Sequence, residues 1–260
     1  MSIYFKRLFY TLLFTTFVLT SLDASTIESK YHAVDIAGKQ RMYTQRILKD
    51  YAMIGMKNDF GNPDEDIKKC IETFSLHLKS LHDYTKNKEI LEKIEKAEKI
   101  WLPIKTTVEK KPEKKGVLAL QSSLENLFII SNEITKLFEK EAGGESGEIV
   151  NISGRQRMLS QKMASLYMLK VWDIKDEKFK ETMHTSMKLF KESLIKLEAS
   201  KLNNDEISNL LLKVKKSFMF FEIMTKSSSS FIPSLIYKKS NDILENMDSV
   251  TRLYVEINKK

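Results

Sequence analysis

Glycine and proline are scarce in this chain of 260 residues, at 8 and 4, and cysteine is nearly absent. Few breakers with abundant Lys, Glu, Leu, Ile and Met exclude a turn-rich sheet protein and favour long helices joined by short turns. The single cysteine, Cys70, excludes an internal disulfide. It sits at a helical position and reads as a small buried hydrophobe. Gly-rich phosphate loops, Gly-x-Ser-x-Gly and Cys-x-x-Cys are missing, and with them the common signatures of nucleotide, hydrolase and redox chemistry. Four histidines are present, and His77 and His82, five apart, share no helical face. No metal site, catalytic residue or cofactor is therefore expected.

Arginine is also rare. The net charge is +8, but only six of the 43 basic residues are arginines. Lysines spread along helices read as solvated faces, and no aromatic-basic module suggests nucleic acid. Four of the six arginines, Arg41, Arg46, Arg155 and Arg157, fall in two short windows. A planar guanidinium fork suits a planar oxyanion where an ammonium does not.

Long apolar runs are limited to the N-terminus. Residues 1–25 read as a signal peptide, with Lys6 and Arg7 ahead of the apolar run Leu8–Thr20 and a small-residue cleavage site near Ala24. That run is shorter than the roughly 20 residues a spanning helix needs. An uncleaved N-terminal anchor is the rival reading. No second such run follows, so the expected product is exported and periplasmic, with no membrane span after cleavage.

What the chain does contain is a repeat. Shifted by 116 residues, VDIAGKQRMYTQRILKDY (34–51) lies on VNISGRQRMLSQKMASLY (150–167). The same offset pairs Phe74 with Phe190, Leu81 with Leu197, Asn87 with Asn203 and Thr135 with Thr251. One constant offset over half a chain points to tandem duplication. Three glycines within Ala142–Gly147 mark the seam. The domains are placed at 26–142 and 143–260. Helices are expected near 28–58, 63–86, 88–109 and 116–141, then 148–173, 176–200, 203–226 and 232–258. Asn62 and Pro63 are expected to start the second helix as cap and first residue. The fold class is all-α: two tandem up-down-up-down four-helix bundles, each about 35 Å tall, packed about a pseudo-twofold axis.

The first helix of each half carries two stripes. Ile36, Tyr43, Ile47 and Ile54 form ordinary core. The other runs Val34, Ala37/Gly38, Arg41, Thr44/Gln45, Leu48, Ala52, with Val150, Ser153/Gly154, Arg157, Ser160/Gln161, Ala164, Met168 as its counterpart. Small residues permit close helix approach. If the two stripes face each other, Arg41 meets Arg157. Two guanidinium charges about 5 Å apart repel by roughly 3 kcal/mol at an effective dielectric of 20. A small oxyanion between them removes that repulsion; the alternative is that each arginine pairs with an acid of its own bundle.

The segments AGKQRMYTQR and SGRQRMLSQK resemble the first-helix signature of the NarX/PilJ family of bacterial sensor domains. That resemblance implies a periplasmic four-helix bundle carried by nitrate/nitrite sensor kinases and certain chemoreceptors. It also implies a ligand held between two paired first helices by one motif arginine from each. Carried over, Arg41 and Arg157 bind the ligand, Gly38 and Gly154 allow the approach, and Gln45 and Gln161 stand nearby. The implied function is a binding or sensor protein for a small anion such as nitrate or nitrite, relayed to a membrane sensor kinase or chemoreceptor. A ligand-free helical interaction or structural module is the alternative. The chain departs from the family in lacking a second span and a cytoplasmic signalling region. It also exchanges Lys39/Arg155 and Arg46/Lys162 between the copies and has Leu159 where the first copy has Tyr43.

Overall fold

A computed structural model describes residues 26–226 and 232–258. The proposed signal peptide and most of the KSSSSFIP break lie outside these residues. The described residues form eight helices and no strand: α1 (Lys30–Gly55), α2 (Pro63–Tyr84), α3 (Lys88–Val108), α4 (Val117–Ala142), α5 (Gly144–Val171), α6 (Phe179–Glu198), α7 (Asp205–Lys226) and α8 (Pro233–Ile257). None is long and apolar enough to cross a membrane.

Local chemistry sets the helix ends. Ser29 Oγ accepts from His32 N at the start of α1, and Asn87 Oδ1 accepts from Glu89 N at the start of α3. Pro63 opens α2 as expected, followed by Asp64, Glu65 and Asp66 in the first turn. Asn62 occupies the cap position but does not cap through its side chain. Its backbone is left-handed, and its amide donates to Glu65 Oε2 at 2.7 Å instead. The seam is tighter than the sequence suggests. Only Gly143 separates α4 from α5, and positive φ at Gly143 and Gly144 makes so abrupt a junction accessible.

The helices pack in two corresponding sets. Helix α1 packs against α2 and α4, and α3 against α4; α5 packs against α6 and α8, and α7 against α8. The sets meet along α1 and α5, the most extensive pairing among the described helices. Consequently α1 and α5 have almost no solvent face. The stripe Val34, Ala37, Arg41, Thr44, Leu48, Ala52 is buried, as is Val150, Ser153, Arg157, Ser160, Ala164, Met168.

Side chains repeat the 116-residue offset in three dimensions. Gln40 Nε2 donates to Phe74 O at 3.1 Å, and Gln156 Nε2 to Phe190 O at 3.0 Å. Tyr51 and Tyr167 each accept a backbone N–H, from Glu113 and Ile232, and so tie down the chain that leads into α4 and α8. The C-terminal ends of α1 and α5 interlock without such symmetry. The Trp172 indole fills the space beside Gly55, where a Cβ would overlap the ring, and meets Tyr51 edge-on at 6.2 Å.

Candidate functional site: two buried arginines in the α1–α5 interface

The motif Gly-x-Gln-Arg-Met lies midway along both α1 and α5, so the pairing of these helices brings Arg41 and Arg157 together. Both are fully buried. Their Nη2 atoms lie 3.3 and 3.6 Å from the point where a Cβ on Gly38 would stand, and 3.6 and 3.1 Å from the same point on Gly154. The glycines therefore make room chiefly for guanidinium groups, not for the backbone of the facing helix.

Each arginine uses the same two partner positions as its counterpart. Arg41 Nη1 donates to Asn132 Oδ1 on α4 at 3.0 Å, and its Nη2 to the Asn151 carbonyl on α5 at 3.4 Å. Arg157 Nη1 donates to Asp248 Oδ1 on α8 at 2.5 Å, and its Nη2 to the Asp35 carbonyl on α1 at 3.4 Å. Asn132 corresponds to Asp248 at the repeat offset, and Asp35 to Asn151. The geometry is shared; the charge is not. Arg157 Nη2 also meets Asp35 Oδ1 at 2.5 Å, so two carboxylates enclose it. Lys39 joins them, 3.3 Å from Asp35 and 3.5 Å from Asp248, which closes a neutral four-membered cluster. Among the described residues, Arg41 forms no ion pair.

The electrostatics follow. Burial lowers Arg41 to about 9, and the neighbouring Arg155 and Arg157 charges add to this against a weaker pull from Glu139. A guanidinium stays protonated in proteins, so the shift marks a buried cation poorly compensated where it stands. Burial acts on Arg157 too, but Asp35 and Asp248 reverse it and raise the group. Burial alone would raise Asp35, yet Arg157 and Lys39 hold its carboxyl well below the usual carboxylate range. Among the described residues, Nε of both arginines has no acceptor.

Residues 143–218 match the family model of the type IV pili methyl-accepting chemotaxis transducer N-terminal domain, PilJ. The PilJ match takes in α5, α6 and part of α7, and with them Gly154, Arg157 and Gln161. It describes a signalling domain of a chemotaxis transducer, a sensor-type module. No curated protein and no solved structure matches the chain.

The remaining residues singled out in the sequence lie close by but face elsewhere. Gln45 Nε2 donates to Thr44 Oγ1 at 3.3 Å. Gln161 Nε2 donates to the Ser240 carbonyl at 3.0 Å, and its Oε1 has no donor among the described residues. Four residues that define the site escaped the sequence reading: Asp35, Asn132, Asn151 and Asp248. The signal was present in the mismatches of the repeat, where an acid and an amide trade places twice.

Proposed function

We propose that this chain is a non-catalytic, exported sensor or binding module for a small oxyanion such as nitrate or nitrite, held at Arg41 in the α1–α5 interface. The two sets of helices act in this reading as tandem copies of an up-down-up-down bundle about a pseudo-twofold axis. Covalent linkage then does what dimerisation does for a single copy. A membrane sensor kinase or chemoreceptor in the periplasmic space is the inferred partner. The PilJ match supports the signalling context, and the NarX-like motif in both halves supports the ligand class.

One observation carries the ligand assignment: Arg41 is a fully buried cation with no carboxylate partner, an open Nε and a second arginine beside it. An anion there supplies the missing charge and accepts from the fork. Only one is needed, because Asp35 and Asp248 already neutralise Arg157. Asn132, which accepts from Arg41 Nη1, is partly exposed.

Titration calorimetry of residues 26–260 with nitrate, nitrite and other small anions tests this. One anion bound per chain, lost in Arg41→Met, is the expected result. Failure of every anion to bind removes the proposal. A second reading has its own support: the Arg157 cluster is closed and neutral, as a purely structural helical module requires. In that case Arg41→Met leaves the chain folded and no less stable, with no ligand to lose.

A further inference from the structure

Nine residues beyond Arg41, about 14 Å along α1, lies a second buried charged group that the paired arginines do not touch. Lys49 and Asp50 are both completely buried. Lys49 Nζ donates to Asn241 Oδ1 on α8 at 2.8 Å, sits 4.0 Å from the centre of the Tyr237 ring, also on α8, and stands 3.6 Å from Asp50 Oδ1. Asp66 on α2 is well served. It accepts from Arg46 Nε and Nη2 at 2.9 and 2.5 Å and from the Tyr237 hydroxyl at 3.2 Å. Asp50 is not: among the described residues, neither of its carboxyl oxygens accepts a hydrogen bond. An Asp50 oxygen, an Asp66 oxygen and Cys70 Sγ lie within 4.8 Å of one another.

The architecture does not demand this cluster. At the repeat offset, Lys49, Asp50, Asp66 and Cys70 correspond to Ser165, Leu166, Thr182 and Ser186. The second half builds the same helix junction without buried charge. A divalent cation is a poor occupant, since Arg46 and Lys49 already balance the two carboxylates. A proton fits better. On Asp50 it converts an unserved acceptor into a donor beside Asp66 and removes the cost of a buried anion.

We propose that Asp50 takes up and releases a proton while buried, and that this exchange sets how firmly α8 is held at the junction of α1 and α2. With Asp50 neutral, Lys49 gives its charge to Asn241 and the Tyr237 ring. With Asp50 ionised, α1 competes for the same ammonium. Burial raises the Asp50 carboxyl to about 7, against Lys49 and with help from Asp66. The titratable groups facing it are Arg46 and Lys49 from α1, Asp66 and Cys70 from α2, and Tyr237 from α8; α4 and α5 supply none of its principal electrostatic neighbours. Burial pushes the Cys70 thiol and Tyr237 phenol up, so both stay neutral across this range. Burial lowers Lys49, whose contribution to the pH dependence has the opposite sign.

The sign is fixed by linkage. A carboxyl raised in the folded state binds a proton that the unfolded chain has released. Its stabilisation is complete below the ordinary carboxyl range and is lost as pH rises through about 7. Infrared spectroscopy of the full chain should show a protonated-carboxyl band at about pH 6 that vanishes by about pH 8, and Asp50→Asn should abolish it. In urea titrations the unfolding constant of the wild type should rise about tenfold per pH unit between about 5 and 7, relative to Asp50→Asn. Asp50→Leu, which copies the second half, serves if the amide variant does not fold. Absence of the band in the wild type, or an unchanged pH slope in a folded Asp50 variant, overturns the proposal.

Discussion

Arg41 and Arg157 occupy one position of a repeat and live in opposite surroundings. Arg157 is enclosed by Asp35 and Asp248, while Arg41 sees Asn132 and Asn151 in the same places. Backbone geometry has been duplicated faithfully, and the charge laid upon it has not. A buried ion pair is costly to break but not required for folding, whereas a buried cation without a counter-charge is a standing cost unless something else supplies the charge. Position in a fold therefore says where a side chain goes, and its immediate partners say what it can do there.

The sharpest way to break this comparison is to delete each fork in turn. Arg157→Met leaves the buried Asp35 with Lys39 alone and should cost about 3 kcal/mol in urea unfolding, the lower end for a broken buried pair, whereas Arg41→Met should cost little or stabilise. Equal losses would mean that the two environments do not differ in energy. Asp35→Asn makes the second site resemble the first, and should cost about 1–3 kcal/mol at neutral pH. Because the Asp35 carboxyl is depressed, its stabilisation is present above the ordinary carboxyl range and fades as pH falls below it. The variant should flatten that acid limb, measured by unfolding at a series of acid pH values.

Smaller effects sharpen the contrast. A Cβ on Gly154 comes 3.1 Å from Arg157 Nη2, part of a fork pinned by two carboxylates, while one on Gly38 comes 3.3 Å from the less restrained Arg41 fork. Gly154→Ala should therefore lose about 1–2 kcal/mol to overpacking. In Gly38→Ala, the better helix propensity of alanine, about 1 kcal/mol, should offset most of the strain. Gln40 and Gln156 provide the control, since their hydrogen bonds to Phe74 O and Phe190 O are alike. Gln40→Leu and Gln156→Leu should each cost about 1 kcal/mol, and thermal unfolding should show no difference between them.

Much of this was legible in the sequence. Helix positions followed from sparse breakers and three/four spacing, and the offset of the repeat named the paired arginines before any coordinates. Two things were not legible, for physical reasons. Identity matching passes over Asp35 against Asn151 and Asn132 against Asp248, although those exchanges carry the electrostatics. The Lys49–Asp50 pair looks like an ordinary solvated turn, because helical periodicity assumes one wet face. Helix α1 has almost none, since α2, α4 and α5 surround it. A charge pattern on a central helix is readable only after its neighbours are known.

The Trp172 indole, seated in the notch beside Gly55, bears on how the two central helices can move if the sensor reading holds. That wedge blocks longitudinal sliding of one central helix past the other, because the ring would have to climb out over backbone. In the sensor reading proposed above, movement beginning at Arg41 would then be a splay, with the indole as fulcrum and the opposite ends of α1 and α5 swinging widest.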